Sequence, residues 1–126
     1  MIAAEKDIDR TKNILLIEED DHLRNMLHEF LQSEFFYFLL AKDGLEGMNL
    51  LETEDVDLLI VDIKVPFISG IGLIQFANET KPGMPIICIT DYGLDCKSIP
   101  ELECVAKFFR KPFDFTEIQV ALNELL

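Results

Sequence analysis

The stretch Asp57-Leu58-Leu59-Ile60-Val61-Asp62-Ile63-Lys64-Val65-Pro66-Phe67-Ile68-Ser69-Gly70 carries four large apolar residues in succession, closed by a carboxylate. A short run without alternation is the pattern of a strand buried on both faces, as in a parallel sheet covered by helices above and below. Asp62 then stands where that rigid backbone ends. Three other runs end in the same way. Glu18-Glu19 closes Ile14-Leu15-Leu16-Ile17, Thr90 closes Ile86-Ile87-Cys88-Ile89, and Lys111 closes Phe108-Phe109-Arg110. In an open parallel α/β sheet the carboxyl ends of all strands point to one edge, so these polar endings converge on a single crevice.

Strands are expected over 13–18, 35–40, 57–62, 85–90 and 106–110, with stretches of helical length between them. Leu23, Met26, Leu27, Phe30 and Leu31 recur at helical spacing, as do Leu45, Met48 and Leu51, and then Ile71, Ile74 and Phe76. Each set predicts a buried helix face. Asp20 or Asp21, Asp43 and Ser69 supply capping oxygens for the first three helices, and the last helix begins at Asp114 or Thr116. Ser98-x-x-Glu101 has capping-box spacing that puts Pro100 in a first turn, which predicts a short fourth helix over 98–105 after an irregular stretch through 91–97. Phe35, Phe36, Tyr37 and Phe38 predict a strand packed on both faces. The alternation calls for a doubly wound α/β fold of five parallel strands and five helices.

The 126 residues fit one domain, over 13–126, behind a mobile tail at 1–12. Eleven Lys and Arg stand against 24 Asp and Glu, a net charge of −13 that repels phosphate backbones and anionic lipids, so neither direct nucleic-acid binding nor membrane insertion is expected. Cys88, Cys96 and Cys104 are odd in number and lack CxxC spacing, which suits reduced thiols in a cytoplasm. No apolar stretch reaches membrane-spanning length, and the first residues lack a signal-peptide core.

Glu18, Glu19 and Asp62 bring three carboxylates to the crevice, where mutual repulsion calls for a cation. An all-oxygen site with few protein ligands suits Mg²⁺, which keeps several waters and accepts phosphate oxygens. Asp62 is placed as a covalent nucleophile, Lys111 as a compact cation for a phosphoryl oxygen, and Thr90 as a hydroxyl donor. Together these are the parts of a phosphoryl-transfer site. His22 and His28, six apart on one helix, cannot share a metal. Gly70-Ile71-Gly72 lacks the third glycine of a dinucleotide loop, since Gln75 stands there. A haloacid dehalogenase type of hydrolase needs a second Asp two residues after the nucleophile, where this chain has Lys64.

The motifs ILLIEEDDHLR (14–24), DLLIVDIKVPFISG (57–70), MPIICIT (84–90) and KFFRKPF (107–113) resemble, in order and spacing, those of the CheY-like receiver domains of two-component response regulators. The resemblance implies a flavodoxin-like sheet of order 2-1-3-4-5. It makes Asp62 the phosphoacceptor, Glu18 and Glu19 the acidic pair holding Mg²⁺ with Asp62 and the Lys64 backbone carbonyl, and Thr90 and Phe108 the switch residues. Lys111 falls on the family's lysine, with a cis bond to Pro112. The implied function is a signalling switch that takes a phosphoryl group from the phosphohistidine of a sensor histidine kinase or phosphotransfer protein and acts on a downstream effector, as a monomer or weak dimer.

Two residues depart from the family pattern. Glu19 stands where Asp is expected, and Asp91 puts a negative charge where a small residue is usual. The alternative is a pseudo-receiver, a binding module that is not phosphorylated. Lys64 and Tyr92 fall on positions flanking the path of hydrolytic water, where a long cation and a phenol predict slow self-dephosphorylation.

Overall fold

Strand β3 (Leu58–Asp62) is buried along its whole length and lies at the centre of the sheet. The computed structural model describes residues 11–91 and 98–126. Around β3 stand β1 (Lys12–Ile17), β2 (Phe36–Ala41), β4 (Ile86–Thr90) and β5 (Lys107–Arg110), all parallel, in the order β2-β1-β3-β4-β5. Every strand falls within one residue of its expected span. Of the expected tail, only Thr11 and Lys12 are described, and Lys12 opens β1.

The chain runs from β1 outward to β2 and then back past β1 to β3, so the order reverses between β1 and β3. The crevice lies at that switch point, beyond the carboxyl ends. Register sets its depth: Ile17 pairs with Val61, Asp62 with Ile89 and Thr90 with Arg110. Alternation along the strands sends Leu15, Ile17, Leu59, Val61 and Cys88 to one face. Ile14, Leu16, Leu58, Ile60, Ile87 and Ile89 go to the other.

Helices α1 (Asp21–Leu31), α2 (Gly44–Thr53), α3 (Gly70–Thr80) and α4 (Phe115–Leu125) start behind Asp20, Asp43, Ser69 and Asp114, whose side-chain oxygens accept from backbone N–H groups of the first turn. Leu73, Ile74 and Leu51 complete the first core face, and Leu27, Leu31, Ile118 and Leu122 the second.

In place of the expected fourth helix over 98–105 stands a 3₁₀ turn, Pro100–Leu102, with Ser98 before it also in 3₁₀ conformation, so the described residues hold four α-helices rather than five. Its N-cap is Ile99, which has no side-chain oxygen to offer, and the N–H groups of Leu102 and Glu103 bond three residues back to Ile99 and Pro100. Such bonding does not propagate far. The irregular stretch expected through 91–97 lies, apart from Asp91, outside the described residues.

Three apolar sets are less buried than their spacing predicts. Met26 and Phe30 on α1 and Leu45 on α2 are exposed, while Leu27, Leu31 and Leu51 are buried and Leu23 and Met48 pack partly against the core. Phe35 precedes β2 and is exposed, and Tyr37 is exposed within it. β2 is an edge strand yet packs on both faces as expected, with Phe36, Phe38 and Leu40 against the second core face and Leu39 and Ala41 against the first. Cys88 lies buried in β4 and Cys104 is exposed.

The loop 63–69 that follows Asp62 is fixed from two sides. A methyl group on Gly70 would overlap the Ile63 Cα and the Asp62 carbonyl, and one on Gly44 would overlap backbone and Cβ of Ile68. Gly44 N–H also donates to the Pro66 carbonyl at 3.0 Å. The same carbonyl accepts from Ile68 N–H at 2.9 Å, and Phe67 between them has φ 73°. This is a classic-handed γ-turn, an uncommon and strained turn, with a phenyl ring at its centre.

Candidate functional site

Asp62 ends β3 with its carboxylate buried and both oxygens engaged. Oδ1 accepts from the Lys64 N–H at 2.9 Å, and Oδ2 accepts from Lys111 Nζ at 2.6 Å. Lys111 is aimed there by β5, its own N–H donating to the Thr90 carbonyl at 2.8 Å, and its bond to Pro112 is cis. The same Nζ lies 3.0 Å from Oε1 of Glu18, which is 1% exposed. Oε1 nonetheless accepts no hydrogen bond of good geometry, whereas Oε2 accepts from the Asp20 N–H at 3.1 Å.

Burial pushes the Glu18 carboxyl up from its ordinary value and the Asp62 charge adds to this, against the pull of the Asp20 N–H and of Lys111. Burial pushes Lys111 down, but its hydrogen bonds and charge pairing with Asp62 and Glu18 outweigh that and hold the ammonium above its usual range.

The structure thus brings Glu18, Asp62 and Lys111 into contact. Thr90, buried at the end of β4, turns its hydroxyl to the Asp91 carbonyl at 3.0 Å. At the mouth, Lys64 Nζ pairs with Asp91 Oδ2 at 3.1 Å. Phe108 is partly exposed on β5, opposite Cys88. Glu19 is exposed, and among the described residues no three His, Cys, Asp or Glu side chains are grouped as a metal site. Tyr92 lies outside the described residues. Glu18 and Asp62 share a single ammonium, so two carboxylates face one cation among oxygen donors. Such a set fits a hard cation like Mg²⁺, which commonly takes only one or two protein carboxylates.

Two supports were not foreseen. Arg24 donates to the Glu18 carbonyl at 2.7 Å while ion-pairing with Asp21, so α1 holds the backbone that carries the buried acid. The clamping of loop 63–69 by Gly44 and Gly70 was likewise unseen. Arg24 sits inside the first motif, but nothing in its spacing reveals that it reaches back to a carbonyl.

The model of the response regulator receiver domain family matches residues 14–123. The transcriptional regulatory protein GlrR of Escherichia coli K12 is 32% identical over 119 residues, which cover 90% of this chain and 26% of GlrR. The chemotaxis protein CheY of Halobacterium salinarum is 29% identical over 116 residues, covering 91% of this chain and 97% of that one. The chain therefore spans about a quarter of the first relative and nearly all of the second. Among solved structures, the response regulator TrrA of Thermotoga maritima in complex with Mg²⁺-BeF superposes with a TM-score of 0.83 at 28% identity, over 92% of this chain and 100% of TrrA. A CheY-like receiver domain protein of Methanospirillum hungatei gives a TM-score of 0.83 at 26% identity, over 90% and 92% of the two chains. With the doubly wound order, the acid-lysine crevice and a family match over nearly the whole length, the chain belongs to the response regulator receiver domain family.

Proposed function

We propose that this receiver domain accepts a phosphoryl group on Asp62 from the phosphohistidine of a sensor histidine kinase or phosphotransfer protein, in a reaction that requires Mg²⁺. The observation that carries this reading is Lys111 Nζ, which touches the Asp62 carboxylate at 2.6 Å and the Glu18 carboxylate at 3.0 Å. A buried nucleophile held against a cation is the arrangement that phosphoryl transfer needs. Glu18, Asp62 and the Lys64 carbonyl would hold the metal, and Glu19 would join them if its arm folds inward. When bound, Mg²⁺ supplies compensation for the charge on the phosphoryl oxygens.

An Asp62 oxygen attacks phosphorus as the bond from phosphorus to the donor's imidazole nitrogen breaks, and the imidazole leaves with that electron pair. Lys111 stays with the transferred group by moving from carboxylate to phosphoryl oxygen. Thr90 gives up the Asp91 carbonyl to donate to the same group, and Phe108, at the partly exposed face of β5, turns toward the space that Thr90 vacates. Lys64, and Tyr92 with it, would shield the acyl phosphate from in-line water and make its hydrolysis slow. The altered β5 face is then offered to an effector.

Incubation with acetyl phosphate and Mg²⁺ should add one phosphoryl mass, which is not added when a chelator is present from the start or in Asp62→Asn. An equal yield in the Asn variant would overturn the assignment. The second reading, an unphosphorylated pseudo-receiver, is favoured by the outward position of Glu19, and it would be supported if the unaltered chain gained no mass.

A further inference from the structure

Asp91 holds two groups at once. Its carboxylate pairs with Lys64 Nζ at 3.1 Å, and its carbonyl accepts from Thr90 Oγ1 at 3.0 Å. Both held residues border Asp62. The Lys64 N–H is fixed to Asp62 Oδ1 at 2.9 Å, and Thr90 follows Ile89, the residue paired with Asp62 in the sheet. The Lys64 backbone is therefore anchored at the acid while its side chain reaches across the mouth, from the end of β3 to the end of β4.

We propose that Asp91 is a positioning residue that holds the resting site: its carboxylate keeps the Lys64 ammonium from the Asp62 carboxylate until a phosphoryl group arrives to take it, beside a Thr90 hydroxyl parked on the main-chain carbonyl of the same residue. This rests on the reading of Asp62 as phosphoacceptor. The competition is one of charge. Asp91 offers one partly solvated negative charge, with side-chain exposures of 73% for Lys64 and 41% for Asp91. A phosphoryl group brings roughly −1.5 to −2 and three strong acceptor oxygens. Charge-assisted bonds to phosphate are the stronger ones, so the ammonium changes partner when the group forms. A pair this exposed is weak, so the hold adjusts the switch point without blocking it. An acid beside a phosphoryl site would otherwise only repel it. Tied to Lys64, it costs binding chiefly by occupying a cation.

The distinction is measurable as non-additivity. Binding of Mg²⁺-beryllofluoride, a phosphoryl mimic, is followed by calorimetry on the whole chain at low ionic strength for the unaltered protein, Asp91→Asn, Lys64→Met and the double variant. Asp91→Asn should tighten binding by about threefold, the scale of one partly exposed ion pair. In the Lys64→Met background the same change should give less than half that gain, and Asp91→Glu should keep the resting affinity. An equal gain in both backgrounds would show simple repulsion and overturn the hold, as would unchanged or weaker binding by Asp91→Asn. Absence of beryllofluoride binding by the unaltered chain would overturn the phosphoacceptor reading together with it.

Discussion

Glu18 is an acid stored where an acid is expensive. Buried at the end of β1, it is held above the ordinary carboxyl value of 4.5, first by desolvation, with Asp62 adding. A carboxyl whose folded value exceeds its unfolded one favours the folded chain while protonated, and that contribution is lost as pH rises from 4.5 through the raised value. Urea unfolding of the unaltered chain and of Glu18→Gln should therefore diverge across this window, with the Gln variant gaining relative stability as pH increases. Parallel pH profiles would contradict the burial argument. Phe67 offers a test of backbone strain: its φ is 73° and its side chain is 77% exposed, so little packing repays the unusual turn. Glycine has no Cβ to strain such a turn, and Phe67→Gly should stabilise the fold by about 1 kcal/mol in chemical denaturation. A loss of stability would mean that the ring is held by contacts more valuable than its exposure implies. Glu18 and Glu19 also show what a sequence leaves open at this scale. Both are visible as an acidic pair closing a strand, but β1 ends at Ile17 and the chain bends at Glu19, so the pair separates. One is buried beside Asp62 and the other is exposed.

At the scale of elements, the junction of β3 and α3 is the least forgiving. Gly70 opens α3 so close to β3 that an added methyl would meet the Ile63 Cα and the Asp62 carbonyl, which are backbone atoms without freedom to move aside. Gly70→Ala should cost about 3 kcal/mol, the upper end for overpacking, and thermal melts would record it. Gly72→Ala is the control, because the nearest atom to its added methyl lies at 3.5 Å. The strands were legible because burial on both faces writes unbroken apolar runs, and the caps Asp43 and Ser69 because a short oxygen-bearing side chain before a periodic stretch has one main use. The turn at Pro100–Leu102 was not. Ser98 and Glu101 have the right spacing, yet the turn starts one residue later, at Ile99. Periodicity also reports which face of a helix is apolar without reporting how wide the covering surface is, hence the exposure of Met26, Phe30 and Leu45.

For the molecule as a whole, a net charge of −13 on 126 residues opposes compaction. Screening should relieve it: going from about 20 to 200 mM NaCl is expected to raise stability by about 1 kcal/mol and Tm by about 4 °C. A falling Tm would mean that surface ion pairs such as Lys107 with Glu124, at 3.4 Å, outweigh the general repulsion. Among the described residues no helix is long and apolar enough to cross a membrane. The clamped loop 63–69 carries a consequence for how this chain can vary. Positions 44 and 70 meet it with no space for a single added carbon, while 64 and 67 project from the same loop with open surroundings. Under randomisation with selection for folding, positions 44 and 70 should therefore stay glycine and position 67 should favour residues that accept a positive φ, while position 64 varies widely. Lineages of this fold are free to drift in the chemistry they place around the acid, but not in the backbone path that delivers it.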